Sequence, residues 1–143
     1  MIRSFSASAI SHSTEDPSKV RSALLNLFPP DLRGNLEVTF SEAKGHHGNE
    51  ISLMSVDLPI KEAAAKTVEY ILNSLPPPDR MQIRDRIGTL FDGKSSVYLR
   101  LDKQLAYRGA LRIAEGDDTL KVRIGIFMLR GGIEATLKAL SLA

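Results

Sequence analysis

The sequence predicts an α+β domain, a mainly antiparallel sheet of about five strands with helices packed on one face. Three observations lead there. Short alternating runs have one apolar and one polar face, as half-buried strands do. Stretches with apolar residues at helical spacing lie between them, bounded by prolines. The elements follow in the order strand, helix, strand, strand, helix, helix, strand, strand, helix, with no internal repeat or low-complexity linker. At 143 residues the chain, residues 1–143, fits one domain.

Phe5, Ala7 and Ala9 alternate with Ser4, Ser6 and Ser8, which marks the first strand and its buried face. Asp16-Pro17 then starts a helix, because an aspartate caps exposed amides and proline suits the first helical position. Val20, Ala23, Leu24, Leu27 and Phe28 form its apolar stripe, and Pro29-Pro30 stops it. Leu36, Val38 and Phe40 define a second strand, and Ile51 to Leu58 a third whose facing is ambiguous, because Leu53, Met54 and Val56 break the alternation. The glycine-containing loop between them suits an antiparallel pair.

Pro59 opens the strongest helix, with Ile60, Ala63, Ala64, Thr67, Val68, Ile71, Leu72 and Leu75 on one face. Pro76-Pro77-Pro78-Asp79 ends it and begins another, in which Met81, Ile83, Ile87, Leu90 and Phe91 reach Asp92-Gly93. Val97, Leu99 and Leu101 give a fourth strand with Tyr98 and Arg100 outside. Leu120, Val122, Ile124 and Ile126 give a fifth with Lys121 and Arg123 outside. A last helix from about Gly132 is expected to turn Ile133, Leu137 and Leu140 to the core.

Composition excludes several functions. Without cysteine there is no disulfide, thiolate metal site or cysteine nucleophile, which agrees with a cytoplasmic protein. No apolar run reaches the roughly 18 residues of a membrane span, and no export signal or membrane partner is expected. Nineteen Lys and Arg against 17 Asp and Glu leave a net charge of only +2, so any anion-binding role depends on where the charges sit. There is no glycine-rich phosphate loop, nucleophile elbow or paired-carboxylate motif, and no catalytic residue or cofactor is assigned.

Two segments stand apart from core patterning. If the last two strands pair, Tyr98, Arg100, Lys121 and Arg123 share one exposed face, with Lys103 and Arg108 following at its edge. Cations there suit phosphates, and phenol rings suit exposed bases. The second segment, Lys44-Gly45-His46-His47-Gly48-Asn49-Glu50, holds two of the three histidines between glycines. His46, His47 and Asn49 are open to structural or RNA-contact roles, to acid–base work of the ribonuclease kind, or to metal binding, although no zinc-like spacing is present. His12 is expected to serve the start of the first helix, and Asp102 to cap a helix rather than act as a base.

His12-Ser13-Thr14-Glu15-Asp16, Gly45-His46-His47-Gly48-Asn49 and Leu99-Arg100-Leu101-Asp102-Lys103-Gln104 carry a resemblance to the archaeal family of small predicted RNA-binding proteins, also called predicted exosome subunits. The likeness spans nearly the whole chain. It implies a fold similar to the large-subunit ribosomal protein that binds 5S rRNA, and a non-enzymatic role on structured RNA such as rRNA. Glu50 departs from the family pattern, in which proline is common after Asn49, whereas Tyr107-Arg108-Gly109 keeps the expected aromatic and small residues. The RNA-contact candidates are therefore Lys44, His46, His47, Asn49, Tyr98, Arg100, Lys103, Tyr107, Arg108, Lys121 and Arg123. A homodimer, an RNA-processing complex or a protein adaptor using the open sheet are the other partnerships the sequence allows.

Overall fold

The computed structural model describes residues 1–44, 50–127 and 132–142. At its centre is β1 (Ile2–His12), flanked by β3 (Glu50–Leu58) and β5 (Thr119–Ile126), with β2 (Thr39–Lys44) and β4 (Ser96–Asp102) at the edges. All neighbours are antiparallel, in the order β2-β3-β1-β5-β4. The expected five-stranded antiparallel sheet and its α+β class are what the structure shows.

The helices gather on one face. They are α1 (Pro17–Leu25), α2 (Pro30–Arg33), α3 (Lys61–Ser74), α4 (Pro77–Asp85), α5 (Ile87–Leu90), α6 (Lys103–Tyr107) and α7 (Gly132–Ala139). Against them β1 turns Phe5, Ala7 and Ala9, and small residues at two of those positions let α1 and α3 approach closely. Phe5 meets Phe28 edge to face, ring centroids 5.3 Å apart. Met54 and Val56 of β3, Val97, Leu99 and Leu101 of β4, and Leu120, Val122 and Ile124 of β5 complete the sheet's side of the core.

Asp16 caps α1, its carboxylate accepting from the Ser18 N–H at 2.9 Å, and Pro17 occupies the first turn. Asp102 caps α6 in the same way, accepting from the Leu105 N–H at 2.8 Å. His12 is not a cap. It ends β1, and its backbone N–H donates to Glu15 Oε1.

Tertiary placement changes four expectations. The second strand begins at Thr39 rather than Leu36, and its residues are all exposed, including Phe40 at 50 %, because this edge extends beyond the helical layer. The ambiguous third strand resolves with Met54 and Val56 inward and Leu53 outward. The helix expected from Pro77 to Phe91 breaks at Arg86 into α4 and α5, leaving Met81 exposed. At the last helix, Leu140 just past the end of α7 is buried but Ile133 in its first turn is 50 % exposed, so its apolar side is only partly covered.

Candidate nucleic-acid interface

The face opposite the helices is floored by small polar side chains. Ser4, Ser6 and Ser8 of β1 run down its middle, and Ser55 pairs with Ser8. Gly125 lies beside Ser4, and a Cβ there would meet the serine hydroxyl and turn it aside, so glycine keeps this row of the face low.

Cations rise at one side of that floor. Strand register sets Tyr98 opposite Arg123 and Arg100 opposite Lys121. Alternation points all four away from the core, so the pairing brings them into one block on the open face. Tyr98 is 46 % exposed, Arg100 and Arg123 are exposed and Lys121 is half-buried. Each guanidinium is anchored by one donor and keeps others for a ligand: Arg100 Nη1 donates to the Gly116 carbonyl at 2.7 Å, and Arg123 Nε to Ser96 Oγ at 3.0 Å. Asp117 stands 3.9 Å from Arg100, itself almost fully exposed, whereas Lys121 has no carboxylate within 4.0 Å among the described residues.

The free edge of β4 is sealed at both ends. Asp92 N–H donates to the Ser96 carbonyl at 3.0 Å, and Asp92 Oδ1 accepts from the N–H groups of Lys94, Ser95 and Ser96. Those amides hold the Asp92 carboxyl below its usual range, burial opposing them. At the other end, Ala114 N–H donates to the Arg100 carbonyl and Asp102 N–H to the Arg112 carbonyl, both at 2.9 Å. This strap is tied down by buried Asp79, which accepts from Arg112 Nε at 3.0 Å, Arg112 Nη2 at 3.1 Å and Ile113 N–H at 2.9 Å. Burial would raise the Asp79 pKa, but these donors outweigh it and keep the carboxyl below the ordinary value. Between the seals opens a cleft of about 770 Å³, with Gln82, Arg86 and Thr89 on the helical side and Tyr98, Arg100 and Lys121 on the sheet side.

The remaining sequence candidates do not join this block. Expected as a surface cation, Lys103 is instead buried at 3 % exposure. Its ammonium donates to the Ile10 carbonyl (3.1 Å), Glu15 Oε1 (2.9 Å) and Asp118 Oδ1 (2.5 Å). Its position just inside the Asp102 cap turns it inward under β1, where two acids neutralise it. That hydrogen bond lowers the Asp118 pKa against the opposing effect of burial. His12 Nε2 lies 3.5 Å from the same Asp118. His12, Glu15 and Asp118 cluster as metal ligands do, but the Lys103 ammonium already bonds both carboxylates.

Tyr107 and Arg108 belong to the helical layer. With Lys19 of α1 they line a separate cleft of about 330 Å³, the Lys19 ammonium 5.7 Å from the Tyr107 ring centroid. Lys44 sits on β2, at the opposite edge of the sheet from Arg100. Strand spacing of about 4.8 Å puts it roughly 19 Å away across the sheet. His46, His47 and Asn49 lie outside the described residues.

Comparison with known proteins places this geometry in a family. A family model described as RNA binding matches residues 4–126. The chain belongs to that family. An RNA-binding protein of Pyrococcus abyssi is 33% identical over 129 residues, covering 90% of this chain and 84% of the relative. An uncharacterised protein of Methanocaldococcus jannaschii is 32% identical over 125 residues, 85% of this chain and 82% of the relative. Among solved structures, a DUF54 protein of Archaeoglobus fulgidus superposes with a TM-score of 0.84 at 29% identity, covering 100% of both chains. One from Sulfolobus solfataricus gives 0.77 at 28% identity, covering 96% of this chain and 97% of the other. The matched stretch takes in β1 from Ser4 onward and all of β4 and β5, and with them the open-face block, as does the superposition on the Archaeoglobus fulgidus protein.

Gln82, Arg86 and Thr89 were not legible as site residues. In sequence they are ordinary polar positions on short helices, and only the fold of α4 and α5 against the β4 edge brings them to the cleft. The buried role of Lys103 had one signal, the paired acids of Asp117-Asp118, but nothing in spacing shows that β5 starts beside α6.

Proposed function

We propose that this chain is a non-enzymatic RNA-binding protein that engages structured RNA through phosphate contacts and shape, using the open face of its sheet. The observation that carries the reading is the pairing of Tyr98 with Arg123 and of Arg100 with Lys121 on that face. Anchored guanidiniums lose less freedom on meeting a phosphate than free ones, and they offer a planar fork of donors. The low serine floor lets a sugar–phosphate backbone approach, and Tyr98 adds a ring on which an exposed base can stack. Membership of an RNA-binding family supports the same partner. Lys103 contributes no contact in this reading, while Lys44, Tyr107 and Arg108 meet only RNA that extends past the sheet.

The wider setting we propose is a cytoplasmic RNA-processing assembly of the exosome kind. It rests on the family resemblance and the cysteine-free composition. Kinship of the fold with the 5S-rRNA-binding ribosomal protein belongs to the same proposal, and favours rRNA as the structured partner. Among the described residues no helix is long and apolar enough to cross a membrane.

The test is affinity for a structured RNA hairpin across a salt series, in wild type and in Lys121→Ala/Arg123→Ala. Each phosphate contact contributes about −0.9 to the slope of log K against log salt on a duplex, so the double variant is expected to bind more weakly and to flatten the slope by about 2. Affinity indifferent to both salt and substitution would overturn the proposal. One observation favours a second reading, self-association: β2 presents a full exposed edge with Phe40 beside it. Light scattering decides that reading, which requires a dimer of the isolated protein.

A further inference from the structure

We propose that the cleft beside β4 seats a single unpaired nucleotide of the bound RNA, turned out of its helix. The inference rests on the RNA reading of the adjoining face and names what the cleft adds to it. Its volume of about 770 Å³ falls within the roughly 300–1,000 Å³ of small-ligand sites. Its lining has the mixture a nucleotide needs. Leu90 and Ile83 give apolar surface, the exposed Tyr98 ring gives a stacking plane, and Gln82 and Thr89 offer polar groups to a base edge. Arg100 and Lys121 supply charge for the flanking phosphates, so the cleft is continuous with the cationic block. Arg86 is held across the mouth by Glu115 at 3.4 Å, which positions a second guanidinium plane there.

The backbone argues against a polypeptide strand as the occupant. A strand adds to a sheet edge through a run of free N–H and C=O groups. Along β4 that run is interrupted by Asp92 at Ser96 and by the strap at Arg100 and Asp102. Among the described residues, the Tyr98 N–H and carbonyl and the Arg100 N–H are what remains along the middle of that edge without a close backbone partner. One acceptor and two donors suit the edge of a base, and confined to two residues they are too few to register a strand.

Two RNA hairpins distinguish the possibilities, one with a fully paired stem and one with the same stem carrying a single bulged 2-aminopurine. Wild type is expected to bind the bulged hairpin about tenfold tighter, a factor within the range of one stacked base, and to quench the 2-aminopurine fluorescence. Thr89→Trp, at an exposed position on the cleft wall, is expected to abolish the preference while paired-stem binding on the open face persists. Gln82→Trp makes the same test if circular dichroism shows Thr89→Trp unfolded. Equal binding of the two hairpins with no quenching, or a preference that survives both filled clefts, overturns the nucleotide assignment and leaves RNA binding standing, with a polypeptide as the rival occupant. Failure to bind either hairpin overturns this inference and the RNA reading together.

Discussion

Lys103→Met isolates the buried ammonium, because methionine keeps most of the side-chain length and apolar packing while removing the charge and all three donors. In the folded protein that ammonium joins four parts of the chain: it is on α6 and bonds the Ile10 carbonyl of β1, Glu15 before α1 and Asp118 before β5. Removing one member of a fully buried ion pair costs about 3–5 kcal/mol, since the partner's charge is left without compensation. Here the partners differ. Glu15 is 21% exposed on its side chain and still accepts from the His12 N–H, and Asp118 is 59% exposed and regains water. The two relaxations lower the expected loss to about 2–4 kcal/mol, built from charge-assisted bonds of about 1.5–3 kcal/mol each, with the Asp118 bond discounted for exposure. For a chain of this size that corresponds to a melting temperature lower by about 5–15 °C.

Urea denaturation followed by circular dichroism at neutral pH measures this loss directly. The pH dependence provides an independent check. The folded Asp118 pKa lies below its ordinary value of 3.8, so its contribution is fully present above that value and is lost as pH falls through the lowered folded pKa. Lys103→Met is expected to remove this part of the acid limb, so that the two proteins differ less at low pH than at neutrality. A loss below about 1 kcal/mol with an unchanged denaturant slope would refute the claim that Lys103 holds these segments together.

Two further predictions concern the strap beside β4 and the end of α6. Asp79→Asn removes the charge that Arg112 grips and is expected to cost about 1–3 kcal/mol. Hydrogen exchange should show the Ile113 amide losing protection, and unchanged protection would mean that the strap is held by other contacts. Gly109 closes α6 in a left-handed conformation, φ +88°, with its N–H on the Ala106 carbonyl and the Ala110 N–H on the Leu105 carbonyl. Gly109→Ala is expected to cost about 1 kcal/mol, because the new Cβ meets its own backbone in that region. A stability equal to wild type in chemical denaturation would contradict it.

Period-two alternation made β1, β4 and β5 readable with their facing, because a half-buried strand has to place apolar residues at every second position. The caps at Asp16 and Asp102 were equally legible, since their geometry involves only neighbouring residues. Phe40 and Ile133 misled for one shared reason. Their spacing is that of a buried face, but β2 reaches past the helical layer and α7 is covered only along part of its length. The break at Arg86 was also hidden, as the apolar spacing continues across it from Ile83 to Ile87 and Leu90.

Amino-acid order alone determined the α+β class, the capped helix starts at Asp16 and Asp102 and the outward direction of Tyr98, Arg100, Lys121 and Arg123, because each follows from backbone periodicity or capping within a few residues. Tertiary structure decided which cations stand together. Antiparallel register joined Arg100 to Lys121 across strands, the burial of Lys103 between two acids withdrew it from the surface, and sheet order set Lys44 at the far edge. Those outcomes depend on contacts between residues far apart in the chain, and a residue's own neighbours carry no record of them.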